Sequence, residues 1–155
     1  MTPRIIYLIK RAEIEITARL SLVLEEFSLT PIQYSLLYFI DIDKGDLSSA
    51  QLSRRFSVTP QSMNELVQLL EKKKLLKKNI DPAHRRILRI SLTKKGKQLL
   101  EKSSKALDEL EENLFSGLSL TEINELRHLL GMILETTRNK EIVEKQLRLT
   151  RTLAR

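Results

Sequence analysis

Residues 59–73 read TPQSMNELVQLLEKK, and the rest of the chain can be interpreted around this stretch. Thr59 is a residue type that caps helix N-termini, and Pro60 suits the first helical position, where no amide donor is needed. The apolar residues behind them recur at i, i+3, i+4 and i+7, and they are Met63, Leu66, Val67 and Leu70. This spacing predicts a helix with one apolar face that packs inward.

The opposite face of the same stretch carries side chains that donate and accept hydrogen bonds, and most of them are uncharged. They are Gln61, Ser62, Asn64, Glu65 and Gln68. In the major groove Asn and Gln match adenine, and Glu accepts from cytosine. The face therefore favours a helix whose N-terminal half reads base edges, although an ordinary surface helix is an alternative that this stretch alone leaves open.

The charge of the chain is concentrated in its middle. The whole sequence of 155 residues has a formal net charge of +7. Residues 29–98 hold 14 Lys and Arg against 6 Asp and Glu, whereas the remainder holds 13 against 14. A basic segment in a near-neutral chain indicates a polyanion-binding module, and the alternative is a basic surface that serves only solubility.

The composition also argues against several functions. The chain has no Cys and only two His, at positions 84 and 128, so we expect no thiol chemistry, metal site or cofactor. Three aspartates, Asp41, Asp43 and Asp46, lack the spacing of a calcium loop and are interpreted as loop residues. No apolar run is long enough for a membrane span and no signal peptide opens the chain, which predicts a soluble cytoplasmic protein.

Catalysis would need a nucleophile, base or metal in a pocket. The serines of the middle segment stand at helix starts, where capping explains them, and His128 has no partner by motif. We therefore expect a protein that is not an enzyme. RNA binding is less favoured than duplex DNA binding, because aromatic stacking motifs are missing.

The periodicity along the chain predicts mainly helical structure with one β-hairpin. Helices are expected over residues 3–27, 29–43, 49–56, 59–73, 94–115 and 120–138, with capping boxes at Thr30/Gln33, Ser48/Gln51 and Ser119/Glu122. Residues 76–80 and 87–92 alternate as strands around a basic turn. The fold class is therefore mainly α with a small β-hairpin wing, and the third and fourth helices form a helix-turn-helix.

The apolar stripes of residues 3–27 and 120–138 are wider than one small domain needs. The partner of such a face is either the rest of the chain or a second subunit. The prediction is an isologous homodimer whose two central helices lie about 34 Å apart, one turn of duplex.

This order of elements resembles the MarR family of transcription regulators. The matching phrases are LTPIQYSLL, LSSAQLSRRFSVTPQSMNELVQLLEKKKLL and DPAHRRILRISLTKKGKQLL. The last is the most specific, because it joins a DP-x-x-RR turn and an alternating strand to LT-x-x-G at a helix start.

The resemblance implies a homodimeric winged helix-turn-helix regulator, most simply a repressor, that binds a palindromic operator in double-stranded DNA. It implies three regions: an N-terminal dimerisation helix (1–28), a DNA-binding domain (29–98) and C-terminal dimerisation helices (99–155). The wing arginine that enters the minor groove corresponds to Arg86, with Arg85 beside it. The DNA-binding residues expected from motif and pattern together are Ser48, Pro60, Gln61, Ser62, Asn64, Glu65, Gln68, His84, Arg85 and Arg86.

The chain departs from the family at two positions. His84 stands where an acidic residue often orients the wing arginine, and Glu65 stands where the family often has a basic or small residue. Many members bind small aromatic anions, and the residues here that suit such an effector are Arg11, Arg19, Tyr34 and Tyr38; the alternative is that the tyrosines only pack. The alternative function is that of a winged helix used for protein–protein contact, without direct DNA readout.

Overall fold

The computed structural model describes residues 2–45, 47–81 and 88–138. Six α-helices and three short β-strands follow one another in this part of the chain, which confirms the mainly helical fold with a hairpin. The helices are α1 (Ile5–Glu25), α2 (Pro31–Ile42), α3 (Ser49–Arg55), α4 (Pro60–Lys72), α5 (Lys94–Leu114) and α6 (Leu120–Arg138). The strands are β1 (Leu47–Ser48), β2 (Leu76–Ile80) and β3 (Leu88–Leu92).

The chain divides into two compact units between Leu110 and Glu111. The first unit contains the helix-turn-helix, the strands and their core, and the second contains the end of α5 and α6. The division into three regions at residues 28 and 98 stays a prediction.

Local capping accounts for most of the helix starts. The Thr30 hydroxyl accepts from the Gln33 amide and the Gln33 side chain accepts from the Thr30 amide, so the predicted capping box is present. Ser48 with Gln51 and Ser119 with Glu122 make the same reciprocal pair. Each box satisfies amides that the first helical turn leaves without partners.

The sheet contains one strand that the sequence did not predict. Strand β3 lies in the centre, with β1 and β2 antiparallel on either side. Leu47 pairs with Ile90 and Ser48 with Arg89. A two-residue strand is too short to show the alternation by which strands are recognised in a sequence, and the pairing becomes visible only when β3 is in place.

The core of the first unit lies between α2, α3, α4 and the sheet. Met63, Val67 and Leu70 of α4 are fully buried and Leu66 is half-buried, which confirms the apolar stripe of residues 59–73. The remaining buried apolar side chains are Leu24, Leu29, Leu36, Leu37, Ile40, Leu52, Leu75, Leu76, Ile90, Leu92 and Leu100.

Helix α1 contributes little to that core. Only Leu24, near its C-terminal end, is buried. Large apolar side chains along the rest of the helix are exposed, among them Ile5 at 71%, Ile6 at 81% and Leu22 at 70%. Within the described residues the N-terminal half of the predicted stripe is therefore left exposed, and exposed apolar surface of this extent is typical of an interaction site.

Helix α5 approaches the backbone at the end of α4 very closely. The Leu75 carbonyl accepts from the Thr93 amide at 3.0 Å, and the Thr93 hydroxyl accepts from the Gly96 amide at 3.0 Å. A Cβ on Gly96 would lie 2.1 Å from the Leu75 oxygen. The motif T-x-x-G is therefore explained by a cap and a contact that only glycine permits.

Candidate nucleic-acid interface

The helix-turn-helix is built from α3, a short turn and α4. Ser57 in the turn has a φ of 53°, a left-handed conformation that ends α3 abruptly. Thr59 then caps α4, because its hydroxyl accepts from the Ser62 amide at 3.1 Å, and Pro60 occupies the first turn. The turn therefore sets the direction in which α4 leaves the domain.

The face of α4 opposite the core is exposed and polar. All five predicted reading residues are exposed: Gln61, Ser62, Asn64, Glu65 and Gln68. The Gln61 amide nitrogen donates to a carboxylate oxygen of Glu65 at 3.1 Å, one helical turn away. This arrangement places several donors and acceptors side by side on a surface that no other described element covers.

A contact between the two helices involves a residue that the sequence analysis did not single out. The Ser49 hydroxyl, at the start of α3, donates to Oδ1 of Asn64 on α4. The sequence gives no sign of this bond, because the two residues are 15 positions apart and Ser49 carries only the signal of a helix start. The side-chain oxygen of Asn64 is therefore fixed by Ser49, although the residue as a whole is exposed.

The predicted site residue Ser48 is engaged in structure. It is half-buried, it caps α3, and its hydroxyl donates to Gln51 Oε1 at 2.9 Å. The same Gln51 oxygen accepts from Arg89 of β3 at 3.2 Å, and Arg89 Nε donates to Asp81 Oδ2 at 2.6 Å. The network joins the start of α3 to the strands that carry the wing.

The tip of the wing lies outside the described residues, and with it His84, Arg85 and Arg86. The described strands carry positive charge towards it. Lys77 and Lys78 are exposed on β2, and Lys78 makes an ion pair with Glu71 at 2.7 Å. The role of the three tip residues stays a prediction.

The residues suggested for an effector fall into two places. Tyr34 and Tyr38 on α2 stack with ring centroids 6.0 Å apart, and the Tyr34 hydroxyl lies 3.1 Å from Ser104 Oγ. Arg11 and Arg19 are exposed on α1. None of the four lines a neighbouring open cleft of about 470 Å³ between the end of α1 and the start of α2, whose lining includes Glu25, Gln33 and Lys73.

The described residues also bear on two other features considered for the sequence, a metal site and a membrane-spanning helix. No group of His, Asp and Glu suited to a metal ion occurs among them. Asp43 instead forms an ion pair with Arg55 at 2.6 Å, and Asp46 lies outside the described residues. No helix in residues 2–45, 47–81 and 88–138 is long and apolar enough to cross a membrane.

Comparison with known proteins gives one consistent result. A family model described as MarR family matches residues 27–87. The uncharacterized HTH-type transcriptional regulator YhbI of Bacillus subtilis is 30% identical over 114 residues, covering 74% of this chain and 73% of that protein. The HTH-type transcriptional repressor Rv2887 of Mycobacterium tuberculosis is 27% identical, covering 80% and 88%.

Solved structures agree with the sequence relatives. A structure of the Staphylococcus aureus MepR–DNA complex superposes with a TM-score of 0.75 at 25% identity, covering 86% of this chain and 96% of that one. The relatives are transcriptional regulators, which confirms the prediction that the chain is not an enzyme. Sequence, architecture and relatives together establish that the chain belongs to the MarR family of winged helix-turn-helix transcriptional regulators.

Proposed function

We propose that the protein is a cytoplasmic, homodimeric repressor that binds a palindromic operator in double-stranded DNA through α4. The observation that carries the proposal is the exposed, mostly uncharged polar face of α4, which lies within a segment of high positive charge. Uncharged donors and acceptors serve base recognition, whereas the surrounding cations attract phosphates. Family membership supports the proposal. So do the relative Rv2887, which is named as a repressor, and the similar structure of MepR in complex with DNA.

The dimer is supported by apolar surface in each unit. Helix α1 exposes large apolar side chains along most of its length. Helix α6 does the same, and its exposed side chains include Leu120 at 80%, Met132 at 53% and Leu134 at 61%. Burial of such surface between two identical chains is the simplest way to remove it from water. The two α4 helices of the dimer would then enter successive major grooves about 34 Å apart.

The roles within the interface follow from side-chain chemistry. In this proposal Gln61, Asn64, Glu65 and Gln68 contact bases, and Ser62 and Pro60 lie at the helix start, near phosphates. Arg86 enters the minor groove from the wing, with Arg85 and His84 beside it. Ser48 mainly caps α3, and only the exposed part of its side chain contacts the DNA backbone.

Relief of repression by a small aromatic anion is the finer part of the proposal. The stacked pair Tyr34 and Tyr38 offers an aromatic surface, and Tyr38 is 43% exposed. Arg11 and Arg19 on α1 supply exposed positive charge. The test is release of labelled operator by benzoate, with Tyr38→Ala as the variant that should release it less readily.

A winged helix that serves only protein–protein contact is the alternative. A face used for that purpose has an apolar centre depleted of charge and small polar groups. The outward face of α4 is polar along its N-terminal half, with Leu69 as its exposed large apolar residue among those described. The chemistry of this face therefore favours nucleic acid.

The experiment that tests the proposal is selection of bound fragments from a random duplex pool. We expect an inverted repeat with half-sites one helical turn apart. Affinity for the selected site should fall steeply with salt, with a log–log slope of roughly −6 to −10 for a dimer. Enrichment of no sequence, together with a slope near zero, would exclude DNA as the partner.

A further inference from the structure

The bond between Ser49 and Asn64 determines which part of the Asn64 side chain is available to DNA. The Ser49 hydroxyl donates to Oδ1 of Asn64, and Asn64 is exposed. A carboxamide is planar, with its oxygen and nitrogen on opposite arms. Since the oxygen arm points to α3, the nitrogen arm, which carries two hydrogens, points away from it.

This orientation competes with the usual way in which asparagine reads adenine. That contact is bidentate: the amide donates to N7 while the carbonyl accepts from the N6 amino group of the same base. Because Ser49 engages one of the two lone pairs of Oδ1 and holds that arm at α3, the oxygen is the less available arm, and the amide nitrogen is the arm directed to a base. The side chain therefore presents hydrogen-bond donors to the groove.

Glu65 provides a contrast at the next position. Its carboxylate has only acceptors when ionised, and one oxygen is held by the Gln61 amide at 3.1 Å. Adjacent residues on the reading face thus have opposite hydrogen-bond polarity. Glu65 suits an amino group of cytosine or adenine, whereas the Asn64 amide suits the acceptors of guanine or thymine.

We propose that Ser49 is a specificity-determining positioning residue, which fixes the Asn64 amide so that α4 reads an acceptor base, guanine or thymine, at one position of each half-site. The proposal rests on the proposed function, since it assumes that α4 enters a major groove. It adds a residue of α3 to base selection without requiring that residue to touch a base.

The decisive variant is Asn64→Asp, which keeps the shape of the side chain. The Ser49 hydroxyl can still donate to one carboxylate oxygen, and the outward arm then becomes an acceptor. We expect duplex selection with this variant to replace guanine or thymine by cytosine or adenine at one position per half-site. The other positions of the selected site should be unchanged.

Removal of the positioning bond gives the second test. In Ser49→Ala the Asn64 amide rotates freely, so discrimination between the preferred base pair and the others at that position should fall by about two- to tenfold. Ser49→Thr keeps a hydroxyl and should retain the preference. Thermal unfolding of each variant checks that the fold is kept, and if Ser49→Ala does not fold, Asn64→Asp decides.

The outcomes separate this inference from the function on which it depends. If the unmodified protein enriches no sequence, the proposed function fails. If it enriches an inverted repeat but Asn64→Asp and Ser49→Ala select the same bases with the same stringency, the function stands and the positioning role of Ser49 is wrong. Adenine at the position that responds to Asn64 would also overturn the assignment.

Discussion

Arg89 of β3 holds Asp81 at the end of β2, with 2.6 Å between Arg89 Nε and Asp81 Oδ2. Both side chains are largely buried, at 23% and 7% exposure. Because Arg89 also donates to Gln51 of α3, the base of the wing and the helix-turn-helix share one guanidinium. The position of the two wing strands relative to α3 and α4 therefore depends on this residue.

A double-mutant cycle measures the strength of this pair. Arg89→Ala, Asp81→Ala and the combined variant should give a coupling energy of about 1–3 kcal/mol in urea unfolding, because either single change removes a short ion pair between two largely buried side chains. The matched control is Lys105 with Glu101, an ion pair 3.2 Å apart on the surface of α5. Equal coupling in the two cycles would contradict the importance assigned to burial.

Gly96 provides a prediction about stability in which two effects oppose each other. Alanine favours a helix over glycine by about 1 kcal/mol. At Gly96, however, the new Cβ would meet the Leu75 carbonyl oxygen at 2.1 Å, and a backbone group cannot move aside easily. We expect Gly96→Ala to lower the free energy of unfolding by about 2 kcal/mol or more, measured by urea denaturation.

The control for this substitution is Gly131→Ala in α6. A Cβ at Gly131 meets no described atom of its own chain within 4 Å. Alanine there should be neutral or stabilise by about 0.5–1 kcal/mol. If the two variants behave alike, the close contact at Gly96 is not what requires glycine.

The start of α6 should respond to acid. The backbone amide of Ser119, and then its hydroxyl, donate to the Glu122 carboxylate and hold the pKa of that group below its ordinary value. Since the folded state binds this proton less readily than the unfolded state, the cap stabilises above the ordinary pKa and is lost as the pH falls through the lowered one.

An NMR titration of the Glu122 carboxyl carbon checks this prediction. The midpoint should lie below the ordinary glutamate value, and Ser119→Ala should move it part of the way back, because the backbone amide donor remains. Glu122→Gln should remove the acid-dependent change at the start of α6. A midpoint unaffected by Ser119→Ala would show that the hydroxyl does not contribute.

The proposed role of Arg86 in the minor groove predicts a dependence on the sequence that flanks the operator. Arg86→Ala should weaken binding on the order of tenfold on operators with A/T-rich flanks and less on G/C-rich flanks, because narrow minor grooves concentrate negative potential. Arg85→Ala is the control and should reduce both equally. His84→Asp should strengthen binding if an acidic residue there orients Arg86. Fluorescence anisotropy with the two flank types measures all three.

Much of this fold follows from local sequence, and the reasons are physical. A capping box needs two residues three positions apart, so Thr30, Ser48 and Ser119 could be identified as helix starts before the structure. The apolar stripe of α4 likewise repeats within one helix. Predicted ends differ from the observed ones by a residue or two, as for α1, because end residues lack the full set of helical bonds.

The rest depends on contacts between distant parts of the chain. Strand β1 exists only because Leu47 and Ser48 meet β3. The Ser49–Asn64 bond depends on how α3 packs on α4, and Arg89 contacts both Asp81, which follows β2, and Gln51 of α3. No periodicity encodes such pairs, so the exposed polar face of α4 could be predicted, whereas the contacts that position its side chains could not.

Strand β1 also has a consequence for when the first unit can fold during synthesis on the ribosome. Ser48 must pair with Arg89, so α3 and α4 leave the ribosome well before the strand that completes their support. Closing a long loop costs chain entropy that the two helices cannot offset alone. We expect the apolar core that α3 and α4 share with the sheet to stay incomplete until β3 has emerged, and a chaperone for apolar segments would find its binding site in that interval.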